Sequence, residues 1–373
     1  MFGNPFAGLN LAIDPVLPER KDARIGCIGS GFIMRDCHLV AYREAGFNPV
    51  AIASRTRDNA AAVAERHGIG KVHDSWQDLV RDRDIEILDI ALPPDAQLEV
   101  VREAAKEAGH IRGILCQKPM AMTLAGAREM VELCERAGIT LAVNSNMRYD
   151  QSIRGLKSLL DQGALGERVL ATIEMRAIPH WQDFWRVYDR VEILNMGIHH
   201  IDAFRYLFGD PEKVTAITRS DPRTRFRHID GISQYTFKYA DDFMATSLDD
   251  VWAWPGGESE PDIYIKWRVV GTEGLAQGTI GWPRYPIRTP STLTFTSNLM
   301  RRGWISPSWD KVWFPDAFVG TMAQLLRAVE SGTTPEISGR DNLTTLACVE
   351  ACYRSIAEER TVGLGEIVRD MLA

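Results

Sequence analysis

The feature that most constrains this chain is a short apolar segment, Arg24 to Cys27. It feeds Ile28-Gly29-Ser30-Gly31-Phe32-Ile33-Met34 and then a helical run that stops at Gly46. A strand, a Gly-x-Gly turn and a helix, in that order, open a dinucleotide-binding unit. Gly29 suits the tight turn and Gly31 clears space for a pyrophosphate. The helix N-terminus supplies backbone donors and a favourable dipole. Met34 stands where the fingerprint has its third glycine, so the turn alone also fits an ordinary strand–turn–helix.

The register that follows narrows the choice. Pro49–Ala53, Ile85–Ala91, Gly113–Cys116 and Ile139–Val143 read as strands. Asn59–Arg66, Asp95–Ala108 and Thr123–Ala137 read as helices between them. Strict alternation of strand and helix predicts a parallel, doubly wound α/β sheet, a Rossmann dinucleotide-binding domain. At the end of the second strand an Asp or Glu would grip the adenosine ribose and repel a 2′-phosphate. This chain has Ser54-Arg55-Thr56-Arg57 there, a hydroxyl and two guanidinium groups suited to a phosphate dianion. That favours NADP over NAD, although Arg55 could also stack on adenine whichever cofactor binds.

After Val143 comes Asn144-Ser145-Asn146-Met147-Arg148-Tyr149, and the alternation ends. A helix near Ser152–Asp161 is followed by strand-like segments at Val169–Arg176, Val214–Thr218, Ile232–Tyr239, Phe243–Trp252, Ile263–Gly271 and Gly274–Ile280. Their period-two alternation predicts a large, mostly antiparallel sheet. The run from Gly281 to Phe318, with five prolines, reads as a long irregular excursion. Two helices, Phe318–Ser331 and Arg340–Glu359, close the chain. We therefore expect an arm over 1–22, a nucleotide-binding domain over 23–148 and an α+β domain for substrate binding and oligomerisation over 149–373.

In motif order from Arg24 onward the chain resembles the glucose–fructose oxidoreductase / inositol dehydrogenase / MocA (Gfo/Idh/MocA) family. The Gly-rich turn matches Gly29 to Gly31 and the Pro-Pro turn matches Pro93-Pro94. The family's Glu-Lys-Pro signature corresponds to Gln117-Lys118-Pro119, with Gln in place of Glu. Its Asp-x-Gly-x-His-x-x-Asp segment falls on Asn195 to Asp202, with Asn195 in place of Asp. The resemblance implies a sugar or polyol oxidoreductase. Its cofactor contacts would be Gly29, Gly31, Phe32, Ile33, Ser54, Arg55, Leu92, Pro93, Gln97, Gln117, Lys118 and Asn146. It also implies Lys118 and His199 as the proton-handling pair, with Asn195 beside them. Substrate contacts would come from these three and from Arg148, Tyr149, Arg176, His180 and Trp181. A homodimer or homotetramer through the second sheet is implied as well.

Oxidising a secondary alcohol needs a base for the hydroxyl proton while hydride leaves carbon. Partial burial near a nicotinamide would lower the Lys118 pKa toward a useful range. An amide at position 195 supplies no negative charge to His199, which predicts a mainly neutral imidazole and leaves more of the proton transfer to Lys118. His200 points to another face of the same helix, about 100° away. Nine of the ten tryptophans lie after residue 180, where they could stack on a sugar or simply pack.

A formal charge of −7 gives no footprint for nucleic acid or an anionic membrane. No run of eighteen apolar residues spans a bilayer, and the first 22 residues lack the pattern of a signal peptide. The six cysteines form no zinc spacing, so reduced thiols in a cytoplasmic protein and no metal site are expected. Two alternatives stay open: glycoside cleavage through transient hydride transfer on a tightly held cofactor, and a cofactor-binding regulator without turnover.

Overall fold

Strands buried on both faces read as continuous apolar runs, and the first sheet of this protein is built from such runs. The computed structural model describes residues 10–107, 109–177, 183–251, 262–282, 284, 286–300 and 303–372. The chain forms two compact units. One takes in residues 15–146 and 314–346, the other residues 1–14, 147–313 and 347–373.

In the first unit, β1 (Arg24–Ile28), β2 (Asn48–Ala53), β3 (Lys71–Val72), β4 (Ile87–Ile90), β5 (Gly113–Cys116) and β6 (Thr140–Val143) form one sheet. Its order is β3-β2-β1-β4-β5-β6, with every pair parallel. This is the doubly wound order whose topological switch lies between β1 and β4. Helices Arg57–His67 and Leu124–Ala137 end at Gly68 and Gly138, both left-handed, which only glycine adopts without strain. The two-residue β3 and the six-residue helix Trp76–Arg81 are too short to show a period in the sequence. A hydrogen bond from the Asp78 N–H to the Ser75 hydroxyl, 3.0 Å long, caps that helix.

The helix Phe318–Ser331, far along the chain, packs on β5 and β6 of this sheet. The Val143 N–H donates to the Ile337 carbonyl at 2.8 Å, and Arg112 donates to the Val329 carbonyl at 2.9 Å. Two π-turns mark the chain. Ile33–His38 opens the helix after the glycine turn, and Ile193–Gly197 leads into the helix Ile198–Phe208 of the second unit.

The second unit carries an eight-stranded sheet. Its strands are β7 (Arg168–Arg176), β8 (Lys213–Arg219), β9 (Ile232–Lys238), β10 (Met244–Asp250), β11 (Tyr264–Gly271), β12 (Gly274–Thr279), β13 (Thr292–Ser297) and β14 (Val362–Gly363). The order is β13-β12-β11-β7-β10-β9-β8-β14. All neighbours run antiparallel except β7 and β10. The expected irregular excursion is corrected here, because its Thr-Leu-Thr-Phe-Thr-Ser stretch pairs with β12 as an edge strand. The closing pair of helices is also incomplete: a third, Leu364–Leu372, follows β14. Among the described residues no helix is long and apolar enough to cross a membrane. All six cysteines are free and buried, and burial pushes the thiols of Cys27, Cys37, Cys116 and Cys352 well above their usual range.

The late helix leaves no room at Gly113. A Cβ there would sit 2.9 Å from Val329 Cγ2, 3.0 Å from Leu325 Cδ1 and 3.1 Å from Ile87 Cδ1. Gly113→Ala should therefore destabilise the protein by about 1–3 kcal/mol. Denaturant titration checks this; an unchanged midpoint would show that the helix does not press on β5.

Candidate active site

The carboxyl ends of β1, β2, β4, β5 and β6 share one edge of the parallel sheet. Gly29 follows β1 with φ +110°, and its N–H donates to the Ala53 carbonyl at 2.8 Å. A Cβ on Gly29 would lie 2.5 Å from the Ala91 carbonyl oxygen, so only glycine fits there. At Gly31 a Cβ would meet nothing within 4 Å, which leaves open space at the turn. The Ser30 hydroxyl donates to the Ser54 hydroxyl at 2.8 Å and ties the turn to the end of β2. Phe32 rests against Phe314, with ring centroids 6.5 Å apart, and Ile33 begins the π-turn. Arg57 is engaged by Asp74 at 2.5 Å, whereas exposed Arg55 has no ion pair or hydrogen bond among the described residues. Leu92 and Pro93 follow β4, and Pro93 caps the helix Pro94–Lys106.

Lys118 follows β5. Its side chain is half-buried, and desolvation pulls the ammonium down to about 7. Its backbone is held from two sides. The Lys118 N–H donates to Gln117 Oε1 at 3.0 Å, and the Gln117 N–H donates to Gln97 Oε1 at 2.8 Å. Gln97 Nε2 donates to the carbonyls of Gln117 and Pro119, each at 3.0 Å. Asn146 is buried just past β6. The first unit thus brings the expected cofactor residues to the C-terminal edge beside the switch point, where open α/β sheets bind ligands. The open cradle at Gly31, the paired hydroxyls and the uncommitted Arg55 fit a nicotinamide dinucleotide.

In the second unit, Asn195 lies in the π-turn and His199 in the first turn of the following helix, both buried. The His199 ring meets Trp313 edge to face, with centroids 5.0 Å apart, and Trp313 in turn meets Trp282 at 6.2 Å. Trp313 is fully buried, so it is a wall for His199 rather than an exposed stacking platform. Arg148 donates from Nε and Nη2 to the two oxygens of Asp202, both at 2.7 Å, with both side chains buried. This bidentate pair fixes the His199 helix. Tyr149 is buried beneath Arg154, whose guanidinium lies 5.7 Å from the ring. Arg176 pairs with Asp262 at 3.0 Å near the surface. His180 and Trp181 lie outside the described residues.

An acid does stand near Asn195, three residues earlier. Glu192 is completely buried and accepts from the Ser233 hydroxyl. Burial, then Asp249 and Asp230, push its carboxyl well above the usual carboxylate range. Asp230 accepts the N–H groups of Val191, Glu192 and Ile193 at 2.7, 3.1 and 3.0 Å and so caps the start of the π-turn. A Cβ on Gly197 would lie 2.9 Å from Glu192 Oε1, which explains the glycine before His199. His200 turns away to Ser247 and Asp249, at 3.1 and 3.2 Å from its Nδ1.

Sequence reasoning missed this acid cluster and a second buried group, Asp89 with His38, in the first unit. The available signal was an aspartate inside the apolar strand Ile87-Leu88-Asp89-Ile90, since a fully buried charge needs partners.

Known proteins agree with this architecture. Residues 23–145 match the oxidoreductase family with an NAD-binding Rossmann fold, and residues 153–277 match the GFO/IDH/MocA C-terminal domain. The chain belongs to the Gfo/Idh/MocA family. As a member it is an NAD(P)-dependent oxidoreductase acting on CH–OH groups. It is 30% identical to a D-apiose dehydrogenase of Paraburkholderia graminis over 92% of this chain and 89% of that protein. A 1,5-anhydro-D-fructose reductase of Ensifer adhaerens is 32% identical over 53% of this chain and 60% of its own. Among solved structures, an Agrobacterium radiobacter oxidoreductase in complex with NAD+, L-tartaric acid and magnesium superposes with a TM-score of 0.79. It is 25% identical, over 93% of this chain and 99% of that one.

Proposed function

We propose that this family member is an NADP(H)-linked dehydrogenase or reductase of a sugar, polyol or derived ketone. Lys118 and His199 handle the proton, and Asn195 positions the reacting group. The observation that carries this reading is the desolvated Lys118 amine at the carboxyl edge of β5. The sugar dehydrogenases and the reductase among the relatives support the substrate class. When bound, the nicotinamide accepts or supplies the hydride. In the oxidative direction Lys118 takes the hydroxyl proton as a neutral amine; in the reductive direction its ammonium gives that proton back.

The preference for NADP rests on Ser54 and the uncommitted Arg55, whose fork matches a 2′-phosphate. A second copy of the chain covering the outer face of the eight-stranded sheet is part of the same reading. Exposed Ile217, Met244 and Leu248 on β8 and β10 support it.

Absorbance of reduced nicotinamide, followed over a panel of pentoses, hexoses and polyols, tests the activity. Net reduction of NADP+ with at least one is expected; product without net reduction contradicts the reading. The oxidative kcat/KM should rise with pH to a plateau above about 7, because below that value Lys118 holds its proton. The reductive rate should fall over the same range. Lys118→Met should lower kcat by about 10²–10⁴-fold, and retention of the wild-type pH profile in this variant would exclude Lys118 as the group that titrates. Arg55→Ala should weaken NADP+ binding by roughly 10–100-fold, the worth of a hydrogen bond to a charged group. NAD+ binding should stay near wild type, and equal losses for the two in fluorescence titrations would remove Arg55 from the phosphate. In sedimentation the chain should run as a dimer or larger, and a monomer at micromolar concentration would leave the sheet face unexplained.

A further inference from the structure

Beneath Lys118 the first unit buries a polar chain that the reaction itself does not require. Asp89, in β4, is wholly buried, and His38, at the end of the first π-turn, is nearly so. His38 Nδ1 lies 2.7 Å from Asp89 Oδ2, and the Tyr42 hydroxyl donates to the same oxygen at 2.7 Å. On the far side of the ring, His38 Nε2 faces two side-chain amides. Asn144 Nδ2 is 2.8 Å away and Gln117 Nε2 is 3.4 Å away. Phe318 closes over the imidazole, with ring centroids 5.0 Å apart.

The donor and acceptor roles in this chain are determined by its one buried carboxylate. Asp89 accepts only, so the facing Nδ1 carries a proton. In a neutral imidazole Nε2 then offers one lone pair, which the Asn144 NH2 takes at 2.8 Å while the Gln117 NH2 faces it from 3.4 Å. With its NH2 on His38, Gln117 presents Oε1 to the Lys118 N–H, the bond seen at 3.0 Å. Reversing the Gln117 amide would set NH2 against N–H. Each proton position follows from the one before it, from Asp89 through His38 and Gln117 to the Lys118 backbone.

We propose that Asp89 and His38 are positioning residues for Lys118, and that Gln117 is matched to a His38 ring protonated on Nδ1 alone. A glutamate at 117 would set acceptor against acceptor unless Nε2 or the carboxyl also took a proton. The amide at this position, where the family signature carries an acid, thus belongs to an uncharged histidine beneath it. The positioning role rests on the reading of Lys118 as the proton-handling group; the matching of His38 and Gln117 does not.

Nitrogen-15 NMR of the full-length protein labelled at histidine tests the matching, with the His38 signals assigned by their loss in His38→Asn. A protonated Nδ1 and an unprotonated Nε2 are expected in the wild type. Gln117→Glu should shift the Nε2 signal, because the contact then needs a proton, either on Nε2 or on the glutamate carboxyl. A wild-type ring protonated on Nε2, or an Nε2 signal unmoved in Gln117→Glu, overturns the proposal.

Asp89→Asn offers an amide that can donate to Nδ1, shift the proton to Nε2 and release Gln117. In that variant kcat should fall by roughly 10–100-fold, the effect of a misplaced reacting group, while KM for the cofactor stays within about threefold. A folded Asp89→Asn protein with wild-type kcat overturns the positioning role. If Asp89→Asn does not fold, His38→Asn decides it through the same kcat and KM comparison. Lys118→Met should lower kcat by about 10²–10⁴-fold and leave the His38 signals in place. Wild-type turnover in Lys118→Met defeats the reading of Lys118, while the ring signals still decide the matching.

Discussion

A parallel sheet has a polarity, and the functional geometry of the first unit depends on it. Every strand ends on the same edge, so the turns after β1, β2, β4, β5 and β6 gather there without any long loop to bring them together. The order β3-β2-β1-β4-β5-β6 then places the switch between β1 and β4, beside Gly29 and Leu92. Gly29 cannot be replaced without moving the Ala91 carbonyl, so the glycine turn and the end of β4 are one joint.

Within that frame the protein manages buried charge in three different ways. Asp202 meets Arg148 in a two-bond fork, which neutralises both and pins a helix to the start of the second unit. Asp230 is surrounded by three backbone donors and the Tyr353 hydroxyl, at 2.5 Å, and serves as a cap. Asp89 meets a histidine and a tyrosine and passes its polarity on to side-chain amides. The first two arrangements consume the charge locally. The third passes it on as orientation toward Lys118, at the end of the neighbouring strand.

Much of this could be read from the residues in order. Apolar runs gave the buried parallel strands, and their alternation with helices gave the sheet type, because those signals are local. Elements whose stability comes from elsewhere were less visible. Lys71-Val72 becomes a strand only because β2 lies beside it, and Thr292–Ser297 hides its alternation among threonines flanked by prolines. Site residues followed the same division. Gly29, Gly31 and Lys118 announce themselves by turn chemistry and motif, whereas His38, Asp89, Glu192 and Asp230 matter through partners far off in sequence. Asn195 looked like a lost acid; the fold supplies Glu192 nearby, buried and pushed toward its neutral form, so the local loss of charge is real.

The docking of residues 314–346 onto the parallel sheet has a consequence for biosynthesis. The first unit cannot be completed when its last strand, β6, leaves the ribosome, because the helix that covers β5 and β6 has not yet been made. Residues 147–313 must be translated in between. At roughly 5–20 residues per second this is a wait on the order of ten to thirty seconds. During it, the face of β5 and β6 that carries Gly113 lacks its cover. A nascent chain of this protein therefore carries an open apolar surface for longer than its linear domain order suggests, and that interval is when chaperone contact has the most to offer it.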